Sequence, residues 1–372
     1  MMQIAPHLDQ LPPYTPIEPF EVLSARYGRA PHEIIKLDAN ENPYGPSPRA
    51  LEALAHLEWA HIYPDPESRA LRAALADFLG VPMAHILAGA GADELIDLLL
   101  RILLRPGDRI LIAPPTFGMY AFDARLNAGE VIEIPRRPDF SLDLEAMEQA
   151  VFTYRPKAVL LASPNNPDGS LLDAGTLARL FTWPTLIVLD EAYIEFAEDG
   201  GRLGERLSSI RAPLERENVV VLRTFSKWAG LAGLRVGYGV FPEWLLPTLW
   251  KAKQPYNVNV AASAAAIASL GDLDTLAERV ACLRRERARL LALLSTLPYL
   301  RPIPSQANFI LCRVLDRPAR VLKEALAAEG IFVRYFDTPY LQNYLRISVG
   351  RPEDSDTLIA VLRRLGDDSR SR

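Results

Sequence analysis

The 372-residue chain has little cysteine: only Cys282 and Cys312, too few and too far apart for a disulfide framework or a zinc site. Its five histidines, His7, His32, His56, His61 and His85, lack ligand spacing, so no bound metal is expected. No apolar run approaches the ~18 residues needed to span a bilayer. The segment from Met1 to Gln10 offers no basic region followed by an apolar stretch, and no secretory signal is expected from it. Neither sign of charge is in large excess, because 41 basic and 46 acidic residues leave a net charge of −5. That balance favours neither nucleic acid nor an anionic membrane as a partner. Internal repeats and low-complexity tracts are absent too. A reduced, soluble, cytoplasmic protein is the expectation that remains.

What is present is the balance of a globular chain, 49% hydrophobic and 23% charged, at a length that suggests two domains. Residues 1–35 are rich in proline (Pro6, Pro12, Pro13, Pro16, Pro19, Pro31) and read as an arm lying over another surface. From Arg69 the pattern alternates. A helical stretch from Arg69 to Leu79 stops at Gly80-Val81-Pro82. The short run His85 to Ala88 follows, then a glycine turn, Gly89-Ala90-Gly91, and a helix from Ala92 to Leu104. Apolar runs bounded by turns recur at 109–113, 130–134, 158–162, 186–189 and 218–222. They lack polar alternation, as strands buried on both faces should, and helical segments separate several of them. That pattern argues for an α/β fold with a mostly parallel sheet covered by helices. The span 261–297 reads as long helix, and 308–312, 331–335 and 344–349 as strands of a smaller α+β domain. The expected division is 1–45 for the arm and part of the small domain, 46–255 for the large domain, and 256–372 for the C-terminal small domain.

The chemistry concentrates in Arg223-Thr-Phe-Ser-Lys-Trp-Ala-Gly-Leu-Ala-Gly-Leu-Arg235. Lys227 stands there among small, hydroxylated and apolar residues. Apolar surroundings disfavour the ammonium form, which frees the amine to attack a carbonyl. Thr224, Ser226 and Arg235 sit at offsets that can hold a phosphate beside it. An amine nucleophile next to an anion pocket suits an aldehyde cofactor that carries a phosphate, namely pyridoxal 5′-phosphate (PLP).

Four further constellations bear on this reading. Asp190 ends the run Leu186-Ile-Val-Leu, where open α/β sheets place their ligands. Facing a pyridine nitrogen, it would keep that nitrogen protonated, and Tyr193 could donate to the phenolic oxygen. A helix N-cap at a strand end is the alternative. Asn166, in Ser163-Pro-Asn-Asn-Pro-Asp-Gly169, offers an amide to the same oxygen, although the local reading is a loop. Gly89-Ala-Gly91-Ala92-Asp93-Glu94 forms a strand–glycine–helix junction whose free amides suit a phosphate. Glu94 holds the place of the third glycine of a dinucleotide fingerprint, so this is weak evidence for a nicotinamide. Phe117 can stack on a planar ring or simply be core. Arg346 and Arg334, on neighbouring predicted strands, can hold a substrate carboxylate or form internal salt bridges. Glu191 should face away from Asp190, as adjacent strand residues do. The basic cluster Arg284-Arg-Glu-Arg-Ala-Arg289 reads as a solvated helix face.

Along nearly its whole length the chain resembles the fold-type I, aspartate-aminotransferase-like PLP enzymes. Within them it looks like the histidinol-phosphate aminotransferase family. The matching motifs are Ala39-Asn-Glu-Asn-Pro-Tyr-Gly-Pro-Ser47, Tyr63-Pro-Asp65, Gly91-Ala-Asp-Glu-Leu-Ile96, Ser163-Pro-Asn-Asn-Pro167, Asp190-Glu-Ala-Tyr-Ile-Glu-Phe196, Arg223 to Lys227, Gln254-Pro-Tyr-Asn-Val-Asn259 and Leu345-Arg-Ile-Ser-Val-Gly350. The resemblance implies that Lys227 bonds the cofactor and shuttles the Cα proton, with Asp190 on the pyridine nitrogen and Asn166 and Tyr193 on the phenolic oxygen. Thr224, Ser226, Arg235, Gly91, Ala92 and Asp93 would surround the phosphate, and Phe117 would lie over the ring. Tyr63 would reach the phosphate from a neighbouring subunit, so a homodimer with a shared site is implied. Arg346 would bind glutamate's carboxylate or a substrate phosphate, assisted by Arg334 and Tyr14, with Asn40 lining the pocket. Trp228 and Asp168 depart from the family pattern, Trp228 with an expected effect on packing behind the lysine.

The implied reaction exchanges an amino group between glutamate and imidazole-acetol phosphate in a ping-pong cycle. A threonine-phosphate decarboxylase and an aromatic aminotransferase are the rivals on the same scaffold, and the 254–259 segment favours the aminotransferase. An effector-binding module of a transcription regulator would need a further DNA-binding domain, for which the segment before Ala39 is too short. A nicotinamide dehydrogenase would leave the Lys227 motif unexplained.

Overall fold

The computed structural model describes residues 4–11, 17–198 and 201–370. In chain order its strands are β1 (Ile35–Leu37), β2 (Ile86–Gly89), β3 (Arg109–Ile112), β4 (Glu130–Glu133), β5 (Ala158–Ala162), β6 (Leu186–Asp190), β7 (Val219–Thr224), β8 (Gly237–Val240), β9 (Leu300–Pro302), β10 (Phe309–Val314), β11 (Ile331–Tyr335) and β12 (Tyr344–Ser348). A seven-stranded sheet runs in the order β2-β8-β7-β6-β5-β3-β4. The pairs from β7 through β6, β5 and β3 to β4 are all parallel, whereas β8 runs antiparallel to both β7 and β2.

The side-chain period of a strand explains how this sheet is covered. Leu111, Val159, Leu161, Ile187, Leu189, Val219 and Val221 enter one apolar cluster. Their neighbours Ile110, Ile112, Leu160, Val188, Val220 and Leu222 enter a second. Both faces therefore need apolar residues, which is why β2, β5, β6 and β7 are buried at every position. β4 departs from the expected double burial, because it is the edge strand and exposes Glu130 and Glu133. β8 carries no apolar run of its own. Its Gly237 stands so close to the Ala92 amide that a Cβ would lie 2.6 Å from that nitrogen.

A second, five-stranded sheet has the order β1-β11-β12-β10-β9. The N-terminal strand β1 pairs parallel with β11, and the other pairings are antiparallel. Residues just before β1 also belong there, since Leu23 and Ile34 pack with Ala327 and Phe332. The expected single helix over 261–297 is two helices, Val260–Leu270 and Leu273–Ser295, bent by 84°. Gly271 ends the first by donating its amide to Ile267 and Ala268. Val258, Ala262, Ala265 and Ala266, with Leu276, Val280 and Leu283, pack into the large sheet's cluster. Leu290 and Leu294 pack into that of the small sheet. We therefore place the passage between the two units within helix Leu273–Ser295, not at residue 255.

The cluster 284–289 is not a solvated face. Arg287 is 3% exposed and donates to the carbonyls of Phe196 and Ala307, while Arg284 donates to those of Glu195 and Gly201. The arginines brace the helix against a loop from the large unit. Charge periodicity alone does not reveal this, because their partners are backbone carbonyls remote in sequence. Among the described residues no single helix is long and apolar enough to cross a membrane.

Candidate active site

β5, β6 and β7 end at the same rim of the large sheet, and the residues that follow them converge there. Asn166 comes from the turn after β5, Asp190 from the last position of β6, and Thr224 to Lys227 from the end of β7. Helix Ala92–Leu103 begins beside them, with Gly91 as its N-cap. One cavity is lined by Ala92, Asp93, Phe117, Asn166, Asp190, Tyr193, Thr224, Ser226, Lys227 and Arg235. Most of the residues singled out in the sequence thus share one space.

Asp190 lies at the inner end. Its Oδ2 accepts from the Tyr120 hydroxyl at 2.7 Å and its Oδ1 from the Ala192 amide at 3.0 Å. Burial pushes its carboxyl up to about 6, against the lowering pull of the Tyr120 hydroxyl, the Ala192 amide and nearby Lys227. Burial also pushes Tyr120 well above its usual value, helped by the Asp190 charge. The hydroxyl therefore stays a donor at any physiological pH. Tyr120 escaped the sequence reading. Its only signal was its place three residues after Phe117, which it meets edge to ring at 5.5 Å.

The opposite end is a cup for an anion. Thr224 Oγ1 donates to Ser226 Oγ at 2.9 Å, and Arg235 Nη1 lies 3.4 Å from the same oxygen. Arg235 Nη2 donates to Asp93 Oδ2 at 2.8 Å, so Asp93 holds the guanidinium beside the helix start. Free amides and the positive end of the helix dipole face this space. Gly91 adopts φ +84°, which L side chains rarely take, and a Cβ there would sit 2.5 Å from Arg235 Nη2 and push the guanidinium aside.

Between the two ends, Lys227 Nζ donates to the Ala39 carbonyl at 3.2 Å and lies 5.8 Å from the Tyr193 ring centre. Tyr193 OH accepts from Asn40 Nδ2 at 3.1 Å. Asn40 was expected to line a substrate pocket, but it is 1% exposed and its side chain serves Tyr193 and Ser348. Arg346 is buried on β12. Its Nη1 donates to Asn166 Oδ1 and its Nη2 to the Asp38 carbonyl, both at 2.6 Å. Arg334 stands opposite it in register on β11, and both guanidiniums lie over Phe336 at 5.4 and 5.5 Å.

Tyr63 is 79% exposed and stacks on Tyr256 at 4.6 Å, outside the cavity of its own chain. Tyr14 lies outside the described residues. Trp228 is buried behind the lysine against Phe78 and Phe225. Asp168 is buried too, and binds Asn165 Nδ2 and, at 2.9 Å, the Ser170 amide, closing the turn that carries Asn166. Glu191 points away from Asp190, to Ser208 and the Ser209 amide. Beneath it Arg223 and Glu195 form a fully buried ion pair at 2.6 Å, joining the segment of Tyr193 to that of Thr224. Among the described residues no group of metal-ligating side chains occurs.

The donor set fits PLP: a buried carboxylate for a ring nitrogen, a hydroxyl and an amide at mid-depth, an amine, and an anion cup at the far end. Comparison with known proteins agrees with it. Residues 32–362 match the family described as aminotransferase class I and II. A chloroplastic histidinol-phosphate aminotransferase of Nicotiana tabacum is 52% identical over 361 residues, 97% of this chain and 86% of that one. The histidinol-phosphate aminotransferase of Roseiflexus castenholzii is 50% identical over 370 residues, 97% of this chain and 98% of its own. Among solved structures, histidinol-phosphate aminotransferase from Sinorhizobium meliloti in complex with PLP superposes with a TM-score of 0.88 at 31% identity, covering 98% and 99% of the two chains.

Proposed function

The chain belongs to the aminotransferase class I and II family, and from that premise we propose that it transfers the amino group of histidinol phosphate to 2-oxoglutarate. The products are imidazole-acetol phosphate and glutamate, the reaction is reversible, and it serves histidine biosynthesis. The cofactor is PLP. The observation that carries this reading is the convergence of Lys227, Asp190 and Asn166 on one cavity, with Arg346 bonded to Asn166 at its edge.

When bound, PLP supplies an aldehyde that receives the amino group and a ring that accepts electrons from the substrate Cα. Lys227 Nζ is the amine that would hold that aldehyde carbon and would take up and return the Cα proton. Asp190 carries the negative charge that keeps the ring nitrogen protonated, and Tyr120 holds that carboxylate in place. Tyr193 and Asn166 donate to the phenolic oxygen, the latter through the amide nitrogen left free when Arg346 takes its oxygen. Thr224, Ser226, Arg235 and the amides at Ala92 and Asp93 hold the phosphate beside Gly91, whose own amide is taken by the Gly89 carbonyl, and Phe117 covers the ring.

Arg346, assisted by Arg334, holds a carboxylate of glutamate in one half-reaction and the substrate phosphate in the other, so one site serves both substrates in turn. Tyr63 completes the cup from a second copy in a homodimer; its exposure, with that of Trp59 and Ile62, supports this. The free cysteines Cys282 and Cys312 accord with a reducing compartment, and we place the enzyme in the cytoplasm. The deciding test is a panel of histidinol phosphate, phenylalanine, tyrosine and threonine phosphate, each with 2-oxoglutarate, scored for keto acid and for CO₂. Preferred turnover of histidinol phosphate without CO₂ supports the reading. CO₂ from threonine phosphate, or preference for an aromatic amino acid, overturns it.

A further inference from the structure

We propose that Asn40 is a positioning residue that aims the Tyr193 hydroxyl proton into the cavity, and that Ser348 fixes the orientation in which it does so. The inference rests on the PLP reading above and adds residues that the reading itself does not use.

The argument is an account of donors and acceptors. Asn40 adopts a left-handed backbone conformation, φ 55°, held at both ends: its amide donates to Ser348 Oγ at 2.9 Å and its carbonyl accepts from Asn308 Nδ2 at 3.0 Å. Ser348 Oγ, already an acceptor, gives its own proton to Asn40 Oδ1 at 2.9 Å. That contact settles which way round the side-chain amide lies. Its oxygen faces Ser348, so its NH₂ faces Tyr193 OH at 3.1 Å. The reverse orientation would deprive the Ser348 proton of its acceptor and turn an oxygen towards Tyr193.

A phenol has one proton to give. Because Asn40 donates to the Tyr193 oxygen, that proton is not consumed by Asn40. Tyr193 lines the cavity, and its proton is directed there, at the phenolic oxygen of the cofactor. With an acceptor in place of the amide NH₂, the proton would turn back into the protein. Asn40 and Ser348 are both buried, at 1% and 3% exposure, so water does not compete for these bonds. Ser348 sits two residues from Arg346 on β12. The strand that bears the substrate arginine therefore also sets a hydrogen bond to the cofactor.

The test is a spectrophotometric titration of the visible band of the lysine-bound cofactor. A donor to the phenolic oxygen competes for it with the proton on the Lys227 nitrogen, so losing the donor raises the pH at which that proton leaves. Asn40→Asp keeps the shape and exchanges NH₂ for an acceptor, and should move the midpoint up by about one pH unit. Ser348→Ala, which frees the amide to turn, should move it in the same direction by less. In a Tyr193→Phe background Asn40→Asp should add nothing further. If Asn40→Asp does not fold, Ser348→Ala carries the test alone. An unmoved midpoint in the variants that fold, or a full shift that persists without the Tyr193 hydroxyl, overturns the proposal. A wild type with no visible band refutes the PLP reading, and this proposal with it.

Discussion

Replacing Tyr120 by phenylalanine removes one hydroxyl and keeps the ring that meets Phe117 edge to face. The lost bond is the 2.7 Å contact to Asp190 Oδ2, made where Tyr120 is 1% and Asp190 7% exposed. A hydrogen bond to a buried charge is worth about 1.5–3 kcal/mol, and each pH unit corresponds to about 1.4 kcal/mol. The Asp190 carboxyl, already pushed up to about 6 by burial, should therefore rise by roughly one to two units. At neutral pH a substantial share of it would be protonated and unable to pair with a protonated ring nitrogen. The assay is the dissociation constant of PLP from the apoprotein, measured from pH 5 to 9 in both proteins. The cofactor's own titrations are common to the two, so their difference isolates Asp190. Tyr120→Phe should bind about two- to tenfold more weakly at pH 7, with the gap closing at high pH where the carboxyl ionises regardless. Equal affinities across the range would show that the hydroxyl does not hold the carboxylate.

Other expectations follow from single contacts. Arg346→Ala removes two bonds and a buried charge, and should raise KM for glutamate about a hundredfold, for a loss of about 3 kcal/mol, while PLP affinity changes little; a KM near wild type would make Arg346 purely structural. Gly91→Ala forces a side chain at φ +84° against Arg235. It should weaken PLP about tenfold and unphosphorylated pyridoxal much less, as strain of roughly 1–2 kcal/mol implies; equal weakening of both would contradict the cup. Arg223→Met strands buried Glu195 and should cost about 3–5 kcal/mol in urea unfolding, most of it recovered when Glu195→Leu is added. Finally, burial pushes Asp123 and Glu191 up to about 7, and Asp190 up to about 6. Each binds its proton more tightly folded than unfolded, so apoprotein stability should fall as pH rises from about 4.5 to 7 and then level off. A Tm that climbs over that window would refute these burials.

The strands of the large sheet were legible because parallel pairing buries both faces and leaves an unbroken apolar run. β8 was not, since its residues Gly237 and Gly239 are chosen for lack of bulk beside Ala92 and Leu222, which no hydropathy pattern records. The lysine, the strand-end aspartate and the glycine junction could be found because their spacing encodes their chemistry locally. Tyr120, Asn40 and the Arg284–Arg287 brace take their meaning from partners far along the chain, such as Asp190, Ser348 and Ala307, and spacing carries none of that. Asn40 is the instructive case. Its motif is visible in the sequence, yet only its bonds reveal that its side-chain amide lies between Tyr193 and Ser348.

In the function proposed above, the site draws its catalytic and cofactor-holding groups from the ends of β2, β5, β6 and β7, and its anion-reading arginines from β11 and β12. Chemistry and recognition are thus written in separate passages of the sequence, about a hundred residues apart from Lys227 to Arg334. Under selection, drift in the second passage can trade one acidic substrate for another without disturbing the amine, the carboxylate or the cup. A protein engineer inherits the same freedom. Swapping the hairpin from Ile331 to Ser348 should recast what the enzyme accepts, provided Arg346 and Ser348 are kept, because those two residues of the recognition passage also speak to the chemistry.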